Sequence, residues 1–148
     1  MKILRTIEIN SPPEVVWSYF TEPEKVLQWY STFRKFEYLT DKRSGVGTAY
    51  YIEEKAAGPL MKMNFKATEW DEGRKIALQM TTGSGVKSYR QAWHLDPTHS
   101  GTRFTFMEEI ELPFGILGKL IGPLARIMSA TTVRKMQLKL KDLVENKG

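Results

Sequence analysis

Several stretches of the chain alternate apolar and polar side chains with a period of two, as strands with one buried face do. Met61, Met63, Phe65 and Ala67 share a face in residues 61–67, and Ile76, Leu78 and Met80 share one in 75–81. Tyr89, Gln91, Trp93 and Leu95 do so in 88–95, and Thr102, Phe104, Phe106, Glu108 and Ile110 in 102–110. The segments between them, 71–74, 83–85 and 96–101, are short and rich in Gly, Asp, Ser and Pro, which predicts antiparallel hairpins. Residues 2–10, 34–40 and 48–54 complete a set of seven predicted strands.

The stretch SPPEVVWSYFTEPEKVLQWY, residues 11–30, interrupts this pattern. Ser11 with Glu14, and Thr21 with Glu24, have the spacing of capping boxes, with Pro12 and Pro23 in the first turns. Two helices are predicted, over 12–20 and 22–31. Each is too short to be stable by itself, so an apolar face formed by Val15, Val16, Trp17, Phe20, Val26, Leu27, Trp29 and Tyr30 must pack on the sheet.

After Pro113 the period becomes helical. Leu117, Leu120, Ile121, Leu124, Ile127 and Met128, then Val133, Met136, Leu140, Leu143 and Val144, fit one face. Gly118, Gly122 and Pro123 predict a break near 122, so the continuous helix is expected to start around 123. Its roughly 24 residues would span about 36 Å, enough to cross the concave face of a curved sheet and leave room between them.

Composition narrows the class. A chain of 148 residues suits one domain spanning 1–148. It has no cysteine, which excludes disulfides, thiolate metal sites and a cysteine nucleophile. The net charge of +5 comes from scattered Lys and Arg residues without a basic run, as on a solvated surface. The opening residues MKILRTIEIN lack the apolar run of a secretory signal, and no segment has the length of a membrane span, so a cytoplasmic location is expected.

Two motifs carry a family resemblance: the paired-helix stretch quoted above, and WHLDPTHSGTRFTF, residues 93–106, a hairpin that turns into Gly-Thr-Arg. With this order of elements the chain resembles the START-like (SRPBCC) superfamily, most of all its polyketide cyclase/dehydrase branch. The resemblance covers essentially the whole chain. It implies an α+β helix-grip fold: a seven-stranded curved antiparallel sheet around a long C-terminal helix, with two short helices between strands 1 and 2. It also implies a deep apolar cavity gated by that helix and nearby loops. The implied lining is Met61, Met63, Phe65, Leu78, Met80, Tyr89, Gln91, Trp93, Phe104, Phe106 and Glu108 on the sheet, with Ile127 and Met128 on the helix. Residues 113–122, PFGILGKLIG, are longer and more apolar than a simple strand-to-helix turn. Such folds serve carriers, hormone receptors, cyclases and chaperone regulators, so fold does not settle chemistry.

The candidate chemistry is sparse. His94 lies in the polar phase of its strand and His99 in a turn, as surface histidines do. No HxH, HExxH, GxSxG or P-loop pattern occurs, so neither a metal nor a cofactor is expected. Glu108 shares a face with Phe104 and Phe106: it is either a carboxylate inside an apolar cavity, with a raised pKa, or a rim residue paired with Lys or Arg. Tyr89 and Gln91 are either polar ligand contacts or satisfied core residues. Met61, Met63, Met80 and Met128 suit an adaptable pocket wall as well as ordinary core.

The leading expectation is a binding or carrier protein for a small hydrophobic molecule such as a lipid, isoprenoid or polyketide-like compound, with no catalytic residue required. The alternative is a cyclase/dehydrase-type enzyme in which Glu108 or Tyr89 does acid/base work. A third reading takes PFGILGKLIGPLARIM, residues 113–128, with Lys119 and Arg126, as a transient membrane-surface contact. Nucleic acid is not an expected partner, because the aromatics fall on the inner face.

Overall fold

The computed structural model describes residues 1–113 and 115–147, with side chains except those of 116–121 and 147. The strands are β1 (Lys2–Ile9), β2 (Phe33–Tyr38), β3 (Ala49–Glu54), β4 (Met61–Asp71), β5 (Lys75–Gly83), β6 (Ser88–Pro97) and β7 (Thr102–Glu111). Two short helices, α1 (Pro13–Thr21) and α2 (Pro23–Trp29), follow β1, and α3 (Gly115–Lys147) ends the chain. This is the α+β helix-grip fold. The sheet order is β1-β7-β6-β5-β4-β3-β2, antiparallel throughout, so only β1 pairs with a strand distant in sequence. Register shifts in β4, between Asn64 and Phe65 and between Ala67 and Glu69, add local bend to the sheet.

The capping boxes do not form. The residues preceding α1 and α2 are Pro12 and Glu22, and neither makes a side-chain cap bond; Pro13 and Pro23 open the helices instead. The cause is one more residue of extended chain than the sequence pattern assumes. Ser11 lies outside the helix, its carbonyl accepting the Thr102 hydroxyl at 2.6 Å, while the Thr21 hydroxyl donates back to the Trp17 carbonyl at 3.4 Å.

Both helices are held by tertiary packing. Phe20 lies 5.3 Å from Trp93 and 5.1 Å from Phe104 between ring centres, and Trp29 lies 5.4 Å from Trp93. The Trp29 indole N–H donates to the Tyr19 carbonyl at 2.8 Å, tying α2 to α1. Val16, Phe20, Val26, Trp29 and Tyr30 are buried as expected, and so is Tyr19, but Val15 and Leu27 face solvent. Trp17 sits half-buried at the margin, edge-on to Trp70, with both indoles donating to Glu72.

The terminal helix begins at Gly115, not near 123, and contains Pro123. Proline there removes a single backbone bond, the one toward the carbonyl of residue 119, and the adjoining turns carry the helix through. The 33 residues span about 50 Å. Val133, Met136, Leu140 and Val144 are buried on the sheet, whereas Leu124, Ile127 and Met128, expected on the same face, are exposed. The expected contributions of Leu117, Leu120 and Ile121 lie outside the described side chains. The C-terminal half of α3 also bonds the outer edge of β1: Gln137 Nε2 donates to the Arg5 carbonyl at 3.0 Å, Lys141 Nζ to the Glu8 carbonyl at 2.8 Å, and the Asn10 N–H to Glu145 at 2.8 Å. Nearer its start, Arg126 Nε donates to the Lys2 carbonyl at 3.2 Å.

Gly101 explains why the hairpin before β7 ends as it does. A Cβ there would lie 2.2 Å from the Ile9 carbonyl oxygen and 2.7 Å from the Ser11 nitrogen. Gly101→Ala should therefore cost more than about 2 kcal/mol in denaturant unfolding. Ser11→Ala should cost under about 0.5 kcal/mol, where a true N-cap serine would lose about 1 kcal/mol.

Candidate functional site

Two clefts open beside α3, one at its middle and one toward its start. The first, about 370 Å³, lies between the α2–β2 turn (Ser31, Thr32, Arg34), the end of β3 and the loop after it (Glu54 to Ala57), Glu108 of β7, and α3 from Met128 to Met136. The second, about 710 Å³, is bounded by Met1, Lys87, the end of β7 with Leu112 and Pro113, and α3 at Gly115, Gly122, Pro123, Arg126 and Ile127.

The first cleft holds the chemistry. Glu54 and Glu108 form part of its wall, only 5% and 7% exposed, and among the described residues neither has a cationic partner within 4 Å. Thr32 donates to Glu54 Oε2 at 2.6 Å, leaving Oε1 unpartnered. Below the floor lies a polar network. Tyr30, stacked on Phe33 with ring centres 3.5 Å apart, donates to Gln91 Oε1 at 3.0 Å and lies 3.3 Å from the Tyr89 hydroxyl. The Trp93 indole donates to the same Gln91 oxygen at 2.9 Å, which fixes the amide orientation and leaves Nε2 buried without an acceptor. Gln91 stands directly opposite Glu108 across the β6–β7 pair, on the same sheet face.

Electrostatics follow from burial. Desolvation, and then the charge of Glu54, push Glu108 up to about 8. Burial also raises Glu54, opposed by the Thr32 and Tyr89 hydroxyls, although Tyr89 makes no bond that satisfies Oε1. Tyr30 and Tyr89 are raised by burial and by both carboxylates, so they stay neutral. At neutral pH the site therefore contains a protonated carboxyl, neutral phenols and unpaired hydrogen-bonding atoms in an apolar setting.

The other residues anticipated from the sequence are divided among distinct places. Glu108 and Met128 line the first cleft, Ile127 the second, and Tyr89 and Gln91 belong to the buried network. Ile127 and Met128 are 64% and 47% exposed. Met63, Phe65, Leu78, Trp93, Phe104 and Phe106 pack in the core and are on neither cleft wall. Met61 and Met80 are half-buried at its margin, close against Gly85 and Gly83. Glu108 is buried, not a rim residue held by Lys or Arg. Glu54 and Thr32 went unrecognised in the sequence, although Tyr50, Ile52 and Glu54 show the same alternation that singled out Glu108. Among the described residues no three His, Asp or Glu side chains converge as metal ligands, and no helix is long and apolar enough to cross a membrane.

A sequence model for the family described as polyketide cyclase / dehydrase and lipid transport matches residues 1–145. The chain belongs to this family. Its fold is similar to that of TTHA0849 from Thermus thermophilus, at 20% identity with a TM-score of 0.83 over 100% of this chain and 99% of that one. It is also similar to a START superfamily protein from Mycobacterium smegmatis, at 17% identity and a TM-score of 0.78 over 99% of each chain. A third similar structure is ginseng major latex-like protein 151 from Panax ginseng, at 14% identity and a TM-score of 0.74, covering 98% of this chain and 97% of that one. At these identities the likeness is one of fold. Comparison with curated proteins finds no match. Membership in the polyketide cyclase/dehydrase and lipid transport family is consistent with binding of a hydrophobic ligand.

The raised carboxyl gives the fold a pH signature. Folding lifts Glu108 from 4.5 to about 8, so the native state holds a proton that the unfolded chain releases between those values. Stability from this group therefore falls as pH rises through that window and levels off above it. Glu108→Gln should match the wild type near pH 5 and exceed it above about pH 8, by on the order of a few kcal/mol, in thermal or denaturant unfolding across pH.

Proposed function

We propose that the protein binds a small, mainly apolar molecule beside the first half of α3, with the polar end of that molecule at the Glu54–Glu108 floor. The observation that carries this reading is the cleft beside α3 from Met128 to Met136, above a floor where Glu54 and Glu108 are buried and Glu54 Oε1 has no hydrogen-bond partner. A ligand burying about 300 Å² of apolar surface gains on the order of 7 kcal/mol before association costs. Desolvation of this size supports carriage without any reaction. Leu124, Ile127 and Met128, exposed beside Arg126, give the mouth an apolar and cationic rim that suits transient contact with a membrane surface during loading.

A cyclase/dehydrase-type activity is the second reading, supported by the unpaired acids alone. A neutral Glu108 can give a proton while Glu54 stands ready to take one. That reading expects turnover of a bound carbonyl compound to vanish in Glu108→Gln with binding retained.

The test of binding uses the neutral probe N-phenyl-1-naphthylamine. Its fluorescence should rise on titration with the protein, and Ser129→Trp, which fills the first cleft from α3, should weaken binding at least about tenfold. A probe that does not bind, in protein that also retains no organic molecule by native mass spectrometry, overturns the reading.

A further inference from the structure

We propose that the groove between β1 and the stretch of α3 from Arg126 to Arg134 docks on a lipid bilayer that carries anionic head groups. This rests on the membrane contact named with the binding reading above, and it assigns the charge of the lipid and the side chains that sense it. The groove encloses about 360 Å³, with Leu4 and Arg5 of β1 on one side and Arg126, Ile127, Ala130 and Arg134 of α3 on the other. Three of these side chains are guanidinium groups, and no acidic residue lines the groove. Among the described residues no carboxylate lies within 4 Å of any of the three. Arg126 uses Nε for the Lys2 carbonyl, and a guanidinium has further N–H groups to give.

The apolar part of the surface follows from helical spacing. Leu124, Ile127, Thr131, Arg134 and Leu138 are separated by three and four positions in turn, so they fall on one stripe of α3. Leu124 and Ile127 are each 64% exposed, as is Leu4 across the groove, and Leu138 is exposed as well. A different stripe, Val133, Met136, Leu140 and Val144, holds α3 to the sheet, so the helix is apolar on two sides and covered on one. Large apolar side chains in solvent, flanked by cations, suit the boundary of a bilayer. Charge decides which bilayer. Guanidinium groups with no carboxylate of their own gain bidentate bonds to lipid phosphates, and an anionic surface adds an attraction that a zwitterionic one lacks. Position ties the surface to the clefts: Arg126 and Ile127 also line the second cleft, and Met128, the next residue, lines the first. Docking there sets both clefts beside the lipid.

The experiment is flotation with vesicles of phosphatidylcholine alone and of phosphatidylcholine with roughly one-third phosphatidylglycerol. The protein should bind the anionic vesicles at least about tenfold more tightly, and high salt should release it. Each cation at such a surface is worth about fivefold, so Arg5→Gln/Arg134→Gln should weaken binding at least about tenfold. Arg134→Gln alone, at an exposed position, should weaken it about fivefold and keeps the test alive if the pair does not fold. Lys62→Gln/Lys66→Gln removes the same charge from the solvent-facing side of β4 and should change binding by less than about threefold. Equal binding to both vesicles, no binding to either, or equal loss in the β4 pair and the groove pair overturns the proposal. A dimer in solution that Ile127→Asp separates also overturns it, because a second copy then covers this face. Arg5 and Arg134 line neither cleft, so their variants should keep the affinity for N-phenyl-1-naphthylamine. Protein that binds the probe and fails the vesicle test therefore loses the docking surface alone, whereas vesicle binding without probe binding counts against the binding reading.

Discussion

Helices of nine and seven residues have little stability in isolation, and the packing of Phe20 and Trp29 against Trp93 and Phe104 is what fixes them to the sheet. The site depends on this contact. Tyr30 follows Trp29 directly, so anchoring one indole sets the position from which the next side chain reaches Gln91. The turn after Tyr30 then brings Thr32 to Glu54. A hydrophobic contact thus determines where hydroxyls and carboxyls meet, with Trp93 serving both as a packing surface and as the donor that orients Gln91.

The unequal seating of α3 has a similar division of labour. Val133, Met136, Leu140 and Val144 bury their side chains, and Leu124, Ile127 and Met128 expose theirs. The buried side chains stabilise the fold, and Val133 and Met136 also line the first cleft together with Met128, Ser129 and Thr132. Burying Glu54 and Glu108 with no cationic partner among the described residues costs stability, because each must be desolvated or hold a proton. Such a cost is characteristic of sites whose chemistry requires it.

Period-two alternation and short turns were enough to read the strands, the pairing of sequence neighbours and the inward phase, because each hairpin is local; the place of β1 beside β7 is not written in that pattern. Glu108 was legible on that basis, and Glu54 was equally so through Tyr50 and Ile52. What alternation does not encode is how far two layers stand apart. Phe65, Leu78 and Phe106 share the phase expected of a cavity wall and are buried in the core cluster, Phe106 beside Tyr30 and Phe65 edge-on to Tyr89. Helix ends were the other weak point. Ser11 and Thr21 have capping chemistry, but Pro13 and Pro23 hold the residues before them, Pro12 and Glu22, extended, so each helix starts one residue later than the capping spacing implies.

An antiparallel sheet that stays open has two flanks of unpaired peptide groups, and here one of them, along β1, is occupied by side chains of α3. The bonds that fasten α3 therefore also shield this flank from pairing with another chain. If the whole helix swung outward to admit a guest, the β1 flank would be stripped and could recruit a strand from a second molecule. Among the described side chains, movement limited to the turns before Val133 puts the Arg126 tie alone at risk, so the place where the helix is fastened would keep an opening at its start from baring the β1 flank.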